Sequence, residues 1–137
     1  MPAVKPKSFA YSVEVDDERR IAPGGGEFVA LGEEWSADHL LLAAVVRCSI
    51  ASLRFHARRR AIEVTATGRG RGTVTRPDGE ERFRFVELEA EIDATLDPPQ
   101  EGAALEELLA LAERDCFVGA SLLAKPRYRW RVEGVEP

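Results

Sequence analysis

The segment Ser36-Ala37-Asp38-His39-Leu40-Leu41-Leu42-Ala43-Ala44-Val45-Val46-Arg47-Cys48 opens like a helix and places a cysteine in the middle of an apolar run. Ser36 can cap the first-turn N–H groups, and Asp38 sets a negative charge against the positive end of the helix dipole. Leu41, Ala44, Val45, Cys48, Ser52 and Phe55 then follow i, i+3, i+4, i+7, i+11 and i+14, a single stripe over almost four turns. Leu40, Leu42, Val46 and Ile50 add apolar surface beside it, so the helix is predicted to be central and covered on more than one side. Arg58-Arg59-Arg60 end it where cations suit the dipole.

On the C-terminal side, Ile62, Val64 and Ala66 switch to the period-2 alternation of a strand. Arg76-Pro77-Asp78-Gly79 is a turn between two long arms, residues 61–75 and 80–96. The second arm carries Phe83 and Phe85 on one phase and Val86, Leu88, Ala90, Ile92 and Ala94 on the other, which calls for a bulge near Phe85-Val86. Asp97-Pro98-Pro99 ends it. From Glu101 a second helix shows Leu105, Leu108, Leu109, Ala112 and Cys116 at i, i+3, i+4, i+7 and i+11. A short helical turn is expected at residues 120–123, ended by Pro126, and Tyr128, Trp130 and Val132 form a closing strand. On the N-terminal side, Phe9, Tyr11, Val13 and Val15 alternate as a strand with one buried face; shorter extended stretches are expected around Arg19-Arg20-Ile21 and from Glu27 to Gly32.

These elements describe an α+β fold, mainly antiparallel sheet packed around two core helices. The 137 residues suit a single domain, residues 1–137. Hydrophobic residues at 45% and charged residues at 31% exclude disorder and a fibrous class. Nineteen Lys plus Arg against 24 Asp plus Glu leave a net charge of −5, which argues against nucleic acid or an anionic membrane as partner. The arginines at 54, 58, 59, 60, 69 and 71 read as a solvated face. The N-terminus lacks the apolar core of a signal peptide, and the run Leu40 to Val46 falls far short of the roughly 20 residues that span a bilayer. A cytoplasmic protein is expected.

Cys48 and Cys116 are the two cysteines. Two are too few for a secreted disulfide framework or a cysteine-rich zinc site, which leaves a redox pair or two buried thiols. His39 and His56 lie about 180° and 80° around the helix from Cys48 at 3.6 residues per turn, so a metal site is not expected and no cofactor is called for. Periodicity alone leaves both cysteine readings open.

The Ser36 to Cys48 segment resembles the first cysteine motif of the OsmC/Ohr family, in which an acidic residue is followed by an apolar helix and a cysteine ten positions later. Asp115-Cys116-Phe117-Val118-Gly119-Ala120-Ser121-Leu122 is similar to the family's second cysteine motif, and Lys125-Pro126-Arg127-Tyr128 before a terminal strand also fits. The resemblance runs from about Trp35 to Gly134. Asp38 stands where the organic hydroperoxide reductases typically have Glu, and Phe117 and Gly119 stand where Pro and Ser are usual.

The resemblance implies a thiol-dependent peroxidase acting on organic, lipid-type hydroperoxides, built as an intertwined homodimer. It implies that Cys48 attacks as a thiolate, that Cys116 resolves the sulfenic acid as a disulfide, and that an external dithiol, such as a lipoyl-type thiol, reduces the disulfide. It further implies an arginine that stabilises the thiolate, placed here at Arg20 or alternatively Arg19, and an acidic residue that orients it, here Asp38. The competing reading is a non-catalytic member that binds a small apolar ligand or serves as a stress-related interaction module.

Overall fold

A 22-residue helix, α1 (Ala37–Arg58), begins directly after Ser36 with Asp38 in its first turn, as predicted. The computed structural model describes residues 7–137. Two units are distinguished, one ending at Ser36 and the other Ala37–Pro137.

In the first unit, β1 (Val13–Val15) pairs antiparallel with β2 (Ile21–Pro23), with Val15 opposite Ile21. The strand expected from Phe9 is thus cut to three residues. Val13 and Val15 are both 65% exposed rather than facing a core, since two three-residue strands offer no second layer to cover them. The stretch from Glu27 to Gly32 contributes only a bridge, Val29 to Ile21.

In the second unit, β3 (Glu63–Thr75) and β4 (Arg84–Asp97) form the expected antiparallel hairpin. Thr73 faces Glu87 and Val74 faces Phe85, which leaves Val86 as the extra residue of the predicted bulge. Beyond it Leu88, Ala90, Ile92, Ala94 and Leu96 all point to the core. The chain then crosses through α2 (Gly102–Arg114) and α3 (Phe117–Ala120) to β5 (Arg127–Val132), which lies parallel to β4 in the order β3-β4-β5. A helical crossover permits this parallel pairing inside an otherwise antiparallel arrangement. The short helix starts three residues earlier than its predicted turn, directly after Cys116.

Helix α1 packs on β3 and β4, and α2 packs on α1. Gly68, Gly70 and Gly72 alternate along β3 under α1: a methyl added at Gly68 would lie 2.7 Å from Val46 Cγ1, and one at Gly70 would lie 3.3 Å from the Leu42 carbonyl. The glycines of the Arg-Gly run are therefore a docking track for α1. Arg69 and Arg71, on the other phase, are exposed, and Arg71 pairs with Glu89 and Glu91.

Leu53, Ile92, Leu96 and Leu108 are almost wholly buried, each contributing about 1.5–3 kcal/mol by leaving water. The length and composition of α1 would allow it to cross a membrane, but here its buried residues belong to this core. Of the predicted stripe, Val45, Cys48 and Ser52 are buried, whereas Ala44 is exposed and Phe55 is 55% exposed. The buried face is rotated towards Ser49, Leu53, His56 and Ala57.

Candidate functional site

Cys48 lies three residues, just under one turn, into the buried part of α1, which begins at Val45, and Cys116 lies at the break between α2 and α3; both are free thiols. Asp115 caps the end of α2, and Cys116 has the non-helical φ −73°, ψ 84° that turns the chain into α3. The turn brings Cys116 onto α1, where its Sγ lies 3.5 Å from Ser49 Oγ and 3.9 Å from the Val45 carbonyl. The Ser49 hydroxyl proton is committed to that carbonyl at 2.7 Å, so the Cys116 thiol donates to Ser49 Oγ.

The two sulfurs differ in access. Cys116 is fully buried, while Cys48 is 9% exposed and forms part of the wall of an open groove of about 610 Å³. Ala44, Ala51, Phe55, Phe117 and Val118 make that groove mainly apolar, with Arg47 and Asp115 as its charged groups. A solute in the groove meets Cys48 and not Cys116.

Burial pushes the Cys48 thiol above the ordinary thiol range; the backbone N–H groups of Val118 and Phe117 pull it down, and Cys116 beside it pushes it further up. Tyr128 approaches Cys116 from β5. Burial, then Cys116 itself, raises its phenol well above the usual tyrosine value, so Tyr128 stays protonated as a donor towards that sulfur.

Gly119 is what lets the ring come so close. A methyl there would collide with Tyr128 Oη and come within 3.4 Å of Cys116 Sγ. Gly119→Ala is expected to cost about 1–3 kcal/mol by overpacking, read as a lower urea midpoint; an unchanged midpoint would mean that Tyr128 moves away freely.

At Asp115, one of the groove's charged groups, His56 Nε2 lies 2.7 Å from Oδ2, and Arg114 grips the same carboxylate through Nε and Nη2 at 2.9 Å each. These bonds, Arg114 first and His56 also contributing, depress the Asp115 carboxyl to about 2 against a partial burial that opposes them. A carboxylate can only accept, so Nε2 carries the proton. A depressed carboxyl adds stability that is complete above its unfolded value of 3.8 and is lost as pH falls through about 2. Asp115→Asn is therefore expected to unfold at lower urea than the parent at pH 7, with the difference closing by pH 2; an undiminished gap at pH 2 would contradict this.

Asp38 is exposed in the first turn of α1, ten residues and hence about 15 Å along the axis from Cys48. Arg20, in the first unit, is bound by its Nε to Asp16 Oδ2 at 2.7 Å and lies over the Phe28 ring at 5.8 Å. His39 is exposed, whereas His56 is buried and bonded. Among the described residues no group of three or more His, Cys, Asp or Glu is placed to hold a metal. The sequence assigns no site role to Ser49, His56, Asp115 or Tyr128, although Asp115 and Tyr128 stand in the segments that resemble the family and Ser49 is adjacent to Cys48.

The sequence model of the OsmC-like protein family matches residues 30–131. No curated protein matches the sequence. Among solved structures, an OsmC-like protein of unknown function from Vibrio cholerae is similar over 90% of this chain and 99% of its own, at 12% identity and TM-score 0.71. A hypothetical protein from Aquifex aeolicus is similar over 93% and 98%, at 20% identity and TM-score 0.68. The organic hydroperoxide resistance protein OhrB of Bacillus subtilis is similar over 91% and 98%, at 13% identity and TM-score 0.62.

Proposed function

Because the chain belongs to the OsmC-like protein family, we propose that it is a thiol peroxidase that reduces organic hydroperoxides to alcohols through Cys48 and Cys116. The observation that carries this reading is the pairing of an accessible thiol with a buried one. Cys48 opens onto an apolar groove, and Cys116 sits behind it against Ser49 on the same helix.

The chemistry follows from that order of access. The Cys48 thiolate attacks the terminal peroxide oxygen, the O–O bond breaks, and the organic fragment leaves as an alcohol after taking a proton. Cys48, oxidised by two electrons, is then a sulfenic acid. Cys116 forms the S–S bond, the sulfenic hydroxyl departs as water with the proton of the second thiol, and an external dithiol of the lipoyl kind reduces the disulfide by exchange. The apolar walls formed by Ala44, Ala51, Phe55 and Phe117 favour an organic peroxide over hydrogen peroxide.

Burial disfavours the Cys48 thiolate, so the reaction needs a cation to offset it. We assign that role to Arg20 and the orientation of the arginine to Asp38, which requires Arg20 to exchange its bonds to Asp16 for new ones. The working unit in this reading is a homodimer in the cytoplasm: β3 is a 13-residue strand at the edge of its sheet, an edge that proteins seldom leave uncovered.

The test is consumption of cumene hydroperoxide by the purified protein with a dithiol present. Turnover that needs the protein and stops when the dithiol is omitted supports the peroxidase. No consumption, together with saturable binding of an apolar fluorophore in the groove, would favour the ligand-binding reading instead.

A further inference from the structure

Among the described residues the buried polar side chains are Ser49, Ser52 and His56. They lie on α1 at i, i+3 and i+7, in one row, and all three bond the same short stretch of the partner element. Ser49 Oγ meets Cys116 Sγ at 3.5 Å, Ser52 Oγ donates to the Ala112 carbonyl at 2.8 Å, and His56 Nε2 donates to Asp115 Oδ2 at 2.7 Å. A polar row inside an apolar interface fixes one alignment of the two elements, because any shift leaves buried groups without partners.

The place where alignment matters most is the break after α2. Asp115 and Cys116 lie outside both helices, and the four-residue α3 gives little restraint of its own. Their backbone N–H groups reach only back into α2, to Leu111 and Glu113. His56 is the tie from another element to the side chain directly before Cys116, and it stands on the same rigid helix as Cys48, eight residues on, about 12 Å along the axis.

We propose that His56 is a positioning residue: through Asp115 it fixes the α2–α3 junction so that Cys116 stays within bonding reach of Cys48. This rests on the reading of the two cysteines as a redox pair, but not on peroxide as the oxidant. Loss of the imidazole leaves Asp115 held by Arg114 on the exposed side, so the carboxylate is not stranded and the junction is loosened.

The proposal is tested on the full chain by equilibrium with glutathione and glutathione disulfide. In that reaction glutathione disulfide takes two electrons from Cys48 and Cys116, which become the protein disulfide, while two glutathione thiols form. The readout is the equilibrium constant, a measure of how well the two thiols are held together, taken where the circular dichroism of parent and variants coincides.

His56→Leu is expected to lower the constant by about tenfold or more. His56→Gln, whose amide can still donate to Asp115, is expected to stay within about threefold of the parent. Asp115→Ala removes the acceptor from a part-exposed site and should fall as far as His56→Leu, which keeps the test decisive if the leucine variant does not fold. Constants for Asp115→Ala or a folded His56→Leu equal to that of the parent would overturn the proposal. A glutamine variant that falls as far as the leucine variant would overturn it as well. A parent that forms the disulfide in this buffer but ignores hydroperoxide would reject the peroxidase and leave the positioning role standing.

Discussion

Cys48→Ser is expected to lower hydroperoxide turnover by a factor of at least about 10³, to the level of the buffer and dithiol alone. Among the described residues, the substitution removes the one sulfur that faces the groove, since Cys116 is fully buried behind it. A serine hydroxyl does not ionise near neutral pH and does not form the oxidised intermediate, so no part of the cycle survives. Serine nearly matches the size of cysteine, and the core around Val45, Leu53 and Leu108 is untouched, so the variant should fold with the parent's circular dichroism. Activity that persists in a folded Cys48→Ser variant would reject Cys48 as the nucleophile.

Cys116→Ser is expected to separate the two halves of the cycle. The first peroxide is consumed, because the groove and Cys48 are intact, but no disulfide can form. The sulfenic acid then survives long enough to be trapped with dimedone or to be oxidised further to the sulfinic acid. Steady-state turnover with a dithiol should fall by about tenfold or more and decay with each cycle as sulfinic acid accumulates. The serine hydroxyl can still bond Ser49 Oγ, so the site keeps its packing. A variant that turns over steadily with no sulfinic product would mean that Cys116 does not resolve the intermediate.

Much of the architecture is legible in residue order because it rests on periodicity. The apolar alternation from Leu88 to Leu96 sets the inner face of β4, and the phase slip at Phe85-Val86 marks the bulge seen at Val86. The Leu105, Leu108, Leu109 and Ala112 stripe is buried as expected, but the helix ends at Arg114, and Cys116, expected as the last residue of that stripe, lies in the break after it. What periodicity could not give was the side of α1 that stays open. Ala44 and Phe55 share the apolar stripe with Cys48, yet they line the groove, while the polar Ser49 and His56 turn inward. A polar residue scores as surface until its partner is known, and the partners here, Cys116 and Asp115, come from a segment more than 58 residues away. The role of the β3 glycines is equally hidden from local pattern: it is the close approach of Val46 and Leu42 from α1. The first unit was over-read, because three-residue strands lie below the length at which alternation is informative.

The most direct test of the redox pair is a peptide map of the parent protein after a single equivalent of cumene hydroperoxide, taken before any reductant is added. The expected result is one disulfide, Cys48 to Cys116 within the same chain, formed together with one equivalent of alcohol. Unmodified thiols with the peroxide intact, or a Cys48 disulfide that joins two chains while Cys116 stays free, would contradict it.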